Sequence, residues 1–271
     1  SVWHTDRARL DEFARQLATC RPLARDLPLD EIWLVARRRD RLEALAAELD
    51  QDRQTAPGQP VPVLIEADLA TSNGCAAIAA RLDTEKPVVA VLVNNAGYGT
   101  YGPFATTEKD FQLGQIDLNC RSLTELCWLA LPCMVKGSRL INVASLAAFS
   151  ALGNFAVYAA TKAYVLSFSA ALRAELAPRG IVVTTLCPGS VSTEFAAVAS
   201  GGARQEVTHG HPAARVVSTG LRHARREKFL SLHALDWKVT AFASRLVGRT
   251  LIARLTWRFH QRPQARSTGP R

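Results

Sequence analysis

The sequence predicts an α/β fold, a doubly wound parallel sheet in a single domain, and three observations carry that expectation. Short uncharged runs rich in β-branched residues recur, among them Val88–Val93, Leu140–Ala144 and Ile181–Leu186. Strands buried on both faces of a parallel sheet read as such continuous apolar runs, and longer stretches of helical period separate them. Small, polar or turn-forming residues stand directly after each run: Asn94-Asn95-Ala96-Gly97, Ser145, and Pro188-Gly189. Open parallel sheets place ligands just past the carboxyl ends of their strands. Finally, Tyr158 and Lys162 lie four residues apart, one turn from each other on one helix face.

In chain order, Asp11–Ala18 reads as a helix with Phe13 and Leu17 on one face, and Cys20–Asp30 as a connection broken by Pro22 and Pro28. The first glycine is Gly58, so no glycine-rich turn precedes that helix. Glu31–Ala36 reads as a strand, followed by Arg37-Arg38-Arg39 and a helix over Asp40–Asp50. Gln51–Pro62 reads as a polar loop, Val63–Ala67 as a strand, and Asp68 as the possible cap of a helix starting near Thr71. Thr107–Met134 reads as one long helix with Asn119 in its middle, where asparagine is disfavoured without a local reason. The helix carrying Tyr158 and Lys162 runs to Leu176 and stops at Pro178-Arg179-Gly180. Pro212–Arg226 reads as a helix and Phe229–His233 as a short last strand.

Charge divides the chain. The net charge is +9, and Arg204–Arg271 alone carries 14 Lys and Arg against 3 Asp and Glu, leaving the remainder close to neutral. Hydrophobic residues make up 48%, enough for a sizeable core. The expected organisation is one domain over residues 1–235 and a basic amphipathic helix and tail over 236–271. Such a helix packs on its own domain or on an oligomer partner, or lies on an anionic membrane. Six cysteines without C-x-x-C spacing fit a reduced, cytoplasmic protein. His209 and His211 have no further ligands at metal-binding spacing, so no metal is expected, nor a nucleic-acid partner. The longest uncharged run, Leu140–Thr161, holds Asn142, Gly153 and Asn154 and reads as strand, turn and helix start rather than as a membrane span.

The ordered set Asn94-Asn95-Ala96-Gly97, Asn119, Ser145, Tyr158-x-x-x-Lys162 and Pro188-Gly189 resembles the short-chain dehydrogenase/reductase family over roughly residues 10–235. That resemblance implies a Rossmann-type sheet and hydride transfer between a nicotinamide dinucleotide and a carbonyl/alcohol pair. It gives Tyr158 the substrate's proton, Lys162 the tuning of that phenol and a grip on the nicotinamide ribose, Ser145 a hydrogen bond to the substrate oxygen, and Asn119 a relay water. It places Arg37, with Arg38 second, at a 2′-phosphate, which favours NADP(H) over NAD. It places Asp68 at the adenine, Asn94 at the sheet crest beside the cofactor, and Val191 and Thr193 at the nicotinamide carboxamide. Family members commonly form homo-oligomers.

The sequence departs from the family at its start. Arg7, Ala8, Arg9 and Leu10 stand where a Thr-Gly-x-x-x-Gly-x-Gly turn is expected, and no buried strand precedes them. Glycines there let a pyrophosphate approach a helix N-terminus, whereas Arg7 and Arg9 could hold phosphate only by charge. An altered N-terminus, a sheet paired without its first strand, and a catalytically silent binding or scaffold relative all fit this departure. Phe149, Leu152, Phe155 and the aromatics after Gly97 suggest an apolar substrate.

Overall fold

The structure, a computed structural model, describes residues 29–55, 58–192, 195–203 and 210–259. The first strand, β1 (Glu31–Ala36), pairs in parallel with β2 (Val61–Glu66), and α1 (Arg39–Thr55) joins them. The expected loop after Asp50 is shortened because α1 runs to Thr55, and β2 starts two residues before the expected strand. After β2 the chain turns through residues 69–75, so α2 (Ala76–Glu85) begins later than expected. It closes on Lys86, whose φ of 45° forms the left-handed end of the helix.

Four strands form the central piece of sheet, all parallel, in the order β3 (Val91–Asn94), β4 (Arg139–Val143), β5 (Val182–Leu186) and β8 (Leu230–Ser231). Leu140, Val165 and Val183 are fully buried where β4 and β5 meet the long helix α5 (Ala156–Leu176). No strand among the described residues joins β1 to β3. The two sheet pieces instead share a core. Ile65, Leu69, Ile78 and Leu82 pack with Trp33 and Val63 on one side and with Leu126 and Leu129 on the other. Helix Asp11–Ala18, with Arg7 and Arg9, lies outside the described residues.

The expected helix over Thr107–Met134 is observed as α3 (Lys109–Ile116), a π turn (Asp117–Ser122) and α4 (Leu123–Ala130). A short pair, β6 (Val191–Ser192) with β7 (His211–Pro212), flanks α6 (Phe195–Ala199), and α7 (Ala213–Arg225) follows. The single C-terminal helix expected from Asp236 is two helices, α8 (Leu235–Ala243) and α9 (Arg249–Phe259), parted at Ser244–Gly248. Trp237 and Ala241 of α8 belong to the main core, so the chain beyond residue 235 is partly built into the domain. No helix among the described residues is long and apolar enough to cross a membrane.

Candidate active site

The site forms where β4 ends. Ser145 is extended, with φ −169° and ψ 161°, and its Oγ accepts a hydrogen bond from the Ala147 amide at 3.1 Å. That bond caps the single 3₁₀ turn Leu146–Phe149 and fixes the hydroxyl's direction. The remaining hydroxyl proton reaches the Pro188 carbonyl only at 3.4 Å, a long bond that a better acceptor can displace.

Tyr158, Thr161, Lys162 and Val165 line the buried face of α5, and the spacing of the sequence dictates this, since residues three and four apart share a helix face. The Tyr158 ring stacks on Phe155, centroids 4.2 Å apart and planes 23° apart. Phe195 lies 5.2 Å from Tyr158 and Tyr101 lies 4.7 Å from Phe155, so an aromatic box with Leu152 and Ala199 surrounds the phenol.

The Lys162 ammonium is buried and donates to the Val143 carbonyl oxygen at 2.8 Å. Nζ stands 5.8 Å from the centre of the Tyr158 ring. Burial pulls its pKa from 10.5 down to about 8, with the Cys120 and Cys187 thiols acting in the opposite direction. Both thiols are themselves pushed up by burial, Cys120 to about 11 and Cys187 to about 12, so neither is a thiolate at neutral pH. The five cysteines among the described residues are free.

Asn119 sits fully buried in the π turn between α3 and α4. Its Oδ1 accepts from the Tyr98 amide at 3.1 Å, and its Nδ2 donates to the Tyr98 carbonyl at 2.9 Å and to Thr161 Oγ1 at 3.0 Å. A π turn inserts one residue and redirects a side chain that regular helix would place elsewhere. Asn119 therefore clamps the loop after β3 to the helix that carries Tyr158. These contacts hold Asn119 between that loop and the helix carrying Lys162, the place from which the expected relay water would be held. Gly97 runs so close beneath that a Cβ would stand 2.8 Å from Asn119 Oδ1 and 3.2 Å from Lys162 Nζ. A Cβ on Gly99 would stand 2.7 Å from the Tyr158 ring.

The other sequence-predicted residues divide into two groups. Asn94 turns inward: its Nδ2 donates to Asn142 Oδ1 at 2.9 Å, and Asn142 donates onward to Ser169 at 2.9 Å. Its amide nitrogen braces β3 to β4, while its Oδ1 is buried without a hydrogen-bond partner. Arg37 and Asp68 face each other past the ends of β1 and β2 at 3.9 Å, both substantially exposed. Asp68 Oδ1 also accepts from the Ala70 amide at 3.0 Å, so it caps the turn that follows. Val191 lies in β6, half-buried, and Thr193 lies outside the described residues. A Cβ on Gly189 would meet the Trp237 indole at 2.6 Å, which shows how tightly α8 backs the Pro188-Gly189 turn.

These donors fit a nicotinamide dinucleotide at both of its ends. Lys162 stands beside Tyr158 and the Pro188-Gly189 turn beside Ser145, and a guanidinium and a carboxylate stand past the ends of β1 and β2. Sequence reasoning missed Thr161, which orders Asn119, and Phe195, which closes the box around Tyr158. Phe155 was named only as a sign of an apolar substrate, and its three-residue spacing from Tyr158 was the signal for the stack.

Comparison with known proteins agrees with this geometry. The family model for short chain dehydrogenases matches residues 17–202, and the chain belongs to the short-chain dehydrogenase/reductase family. The sulfoacetaldehyde reductase of Chromohalobacter salexigens is 36% identical over 174 residues, which is 62% of this chain and 66% of that enzyme. The serine 3-dehydrogenase of Agrobacterium fabrum is 34% identical over 178 residues, 64% of this chain and 68% of the other. The chain spans only 22% of the protein named "Probable oxidoreductase EphD" of Mycobacterium tuberculosis, with which it is 33% identical over 137 residues, 48% of this chain. Among solved structures, a short-chain dehydrogenase from Sphingobium yanoikuyae in complex with NADPH superposes with a TM-score of 0.72 at 28% identity, covering 85% of this chain and 89% of the other.

Proposed function

We propose that this protein is an NADP(H)-dependent oxidoreductase that interconverts a ketone and an alcohol on an apolar substrate. The observation that carries the reading is the buried Lys162 ammonium, anchored to Val143 one helical turn from Tyr158, with Ser145 two residues beyond that anchor. NADPH, when bound, supplies the hydride. Tyr158 donates its phenolic proton to the substrate oxygen as negative charge develops there. The Lys162 ammonium favours the phenolate left behind. Ser145 Oγ gives up its long bond to Pro188 and donates to the same oxygen. Asn119 holds the Gly97–Gly99 segment against these groups.

The aromatic box of Tyr101, Phe155 and Phe195 keeps water from the phenol and favours a bulky apolar ketone. Arg37 supports NADPH over NADH, as does the NADPH complex of the Sphingobium relative. Exposed Trp128 and Tyr164 on neighbouring helices support a homo-oligomer as the working form, and the free cysteines support a cytoplasmic location.

Tyr158→Phe is the direct test. It is expected to lower NADPH-linked ketone reduction by at least about a hundredfold while calorimetry still shows NADPH binding. Unchanged turnover overturns the assignment. Absence of NADPH binding by the wild-type chain makes it a catalytically silent relative.

A further inference from the structure

We propose that α8 and α9 form a docking surface for an anionic lipid bilayer, set beside the loop that joins Ser145 to Tyr158. A helix that packs on its own domain buries its large apolar side chains and leaves polar ones in water. Helix α9 leaves most of its large apolar side chains in water along with its arginines. Its half-buried stripe is Ile252, Ala253 and Thr256, whereas Leu251, Trp257 and Phe259 are 52%, 54% and 69% exposed. Phe242 of α8 and Leu246 of the connection are exposed as well. Half of the large hydrophobic residues that are exposed among the described residues lie in these 25 positions, Leu235–Phe259.

The charges select the partner. Lys238, Arg245, Arg249, Arg254 and Arg258 recur along the same stretch, and its single acid is Asp236. Among the described residues none of these five cations forms an ion pair. A protein interface gathers apolar residues at its centre and charge at its rim. Here a cation stands within a turn of nearly every exposed apolar side chain. A bilayer surface accepts that interleaving, because Phe, Trp and Leu enter the acyl boundary while arginines reach phosphate at the same depth. A nucleic acid would take the charges but leave the exposed Leu, Trp and Phe in water.

The inner stripe of α9 fixes where this surface lies. Thr256 Oγ1 accepts from the Gly153 amide at 2.9 Å, and a Cβ on Gly153 would stand 2.7 Å from the Trp257 backbone. Gly153 lies two residues before Phe155, the ring that stacks on Tyr158. A bilayer under α9 would thus adjoin the loop between Ser145 and Tyr158, and an apolar substrate could enter from it.

The test is flotation of the full chain with phosphatidylcholine vesicles, with and without phosphatidylglycerol, at low and high salt. Binding is expected only to phosphatidylglycerol vesicles, weakening as salt rises. Arg249→Gln/Arg254→Gln/Arg258→Gln is expected to weaken partitioning about a hundredfold. Trp257→Ser/Phe259→Ser is expected to abolish it, and Trp128→Ser to leave it unchanged. All of these side chains are exposed, and far-ultraviolet circular dichroism checks that each variant is folded. Equal recovery on both vesicle types, or full recovery of the triple Gln variant, overturns the proposal. So does a lipid-free dimer that Trp257→Ser/Phe259→Ser dissociates, since a second copy would then cover the face. These readouts do not depend on turnover.

Discussion

Lys162 Nζ and the Val143 carbonyl oxygen are 2.8 Å apart, a bond that ties the Tyr158 helix to the strand ending at Ser145. The bond satisfies the ammonium only in part, and burial holds its pKa at about 8. Below pH 8 both the folded and the unfolded chain carry the proton, and the folded state bears the full cost of burying it, on the order of 3 kcal/mol. Between pH 8 and the ordinary value of 10.5 the unfolded chain holds a proton that the folded chain has released. Folding stability is therefore expected to rise through that window. Urea unfolding of wild type and Lys162→Met across pH 7 to 10.5 measures this. The variant is expected to lack the rise, and the difference between the two curves isolates Lys162 from the other titrating groups.

Gly97 makes a second prediction. A Cβ there would stand 2.8 Å from Asn119 Oδ1 and 3.2 Å from Lys162 Nζ, and neither neighbour is a loose chain end. Asn119 is held by Tyr98 and Thr161, and Lys162 by Val143. Gly97→Ala must displace one of them, and an error near 1 Å at a catalytic group can cost about a hundredfold in rate. We expect kcat to fall by about that factor. Steady-state kinetics with a Tm measurement separates this from unfolding, since the loss should exceed what a modest destabilisation explains.

The main strands were legible in the sequence because strands buried on both faces leave unbroken apolar runs. Glu31–Ala36 appears as read, and the strands at Leu140 and Ile181 shift by a single residue. Ser145, Tyr158 and Lys162 were legible for a similar reason: their relation is local, a strand end followed by one helix face. What the sequence hid depends on contacts between distant segments. Nothing in Thr161 announces that it will hold Asn119, 42 residues away, and nothing in Asn94 announces that its amide nitrogen will donate to Asn142. The C-terminal pattern was read as one helix because apolar spacing continues across Ser244–Gly248, where the chain in fact breaks.

Asn119 offers a test of the electrostatics at the site. The point a Cβ would occupy on Gly97 lies within reach of both Asn119 Oδ1 and Lys162 Nζ, which places those two atoms no more than about 6 Å apart. Asn119→Asp is nearly isosteric and keeps an oxygen for the Tyr98 amide, but it sets a carboxylate near the ammonium. Opposite charge favours the charged form, so the Lys162 pKa is expected to move up from about 8. The stability rise assigned to Lys162 should then begin at higher pH. The variant also loses the donors to the Tyr98 carbonyl and to Thr161, which costs about 2 kcal/mol. The pH shift, measured by the same urea series, is the readout that a purely structural role would not produce.

The last prediction concerns cofactor choice. Arg37 is 70% exposed on its side chain and its pairing with Asp68, at 3.9 Å, is long. A pair of that exposure and length contributes little to stability, so the guanidinium can turn toward a better anion at small cost. A 2′-phosphate is such an anion, because planar guanidinium donors bind phosphate oxygens in parallel pairs. The ribose hydroxyl of NADH offers nothing comparable. Arg37→Gln is therefore expected to weaken NADPH binding by about ten- to a hundredfold, the span of one charge-assisted contact, and to leave NADH binding nearly unchanged. Asp68→Asn keeps an oxygen for the Ala70 amide while removing the competing charge, so the fold should hold and NADPH should bind more tightly relative to NADH. Calorimetric titration of the three proteins with both dinucleotides checks this, and equal weakening of NADPH and NADH by Arg37→Gln would remove Arg37 from the phosphate.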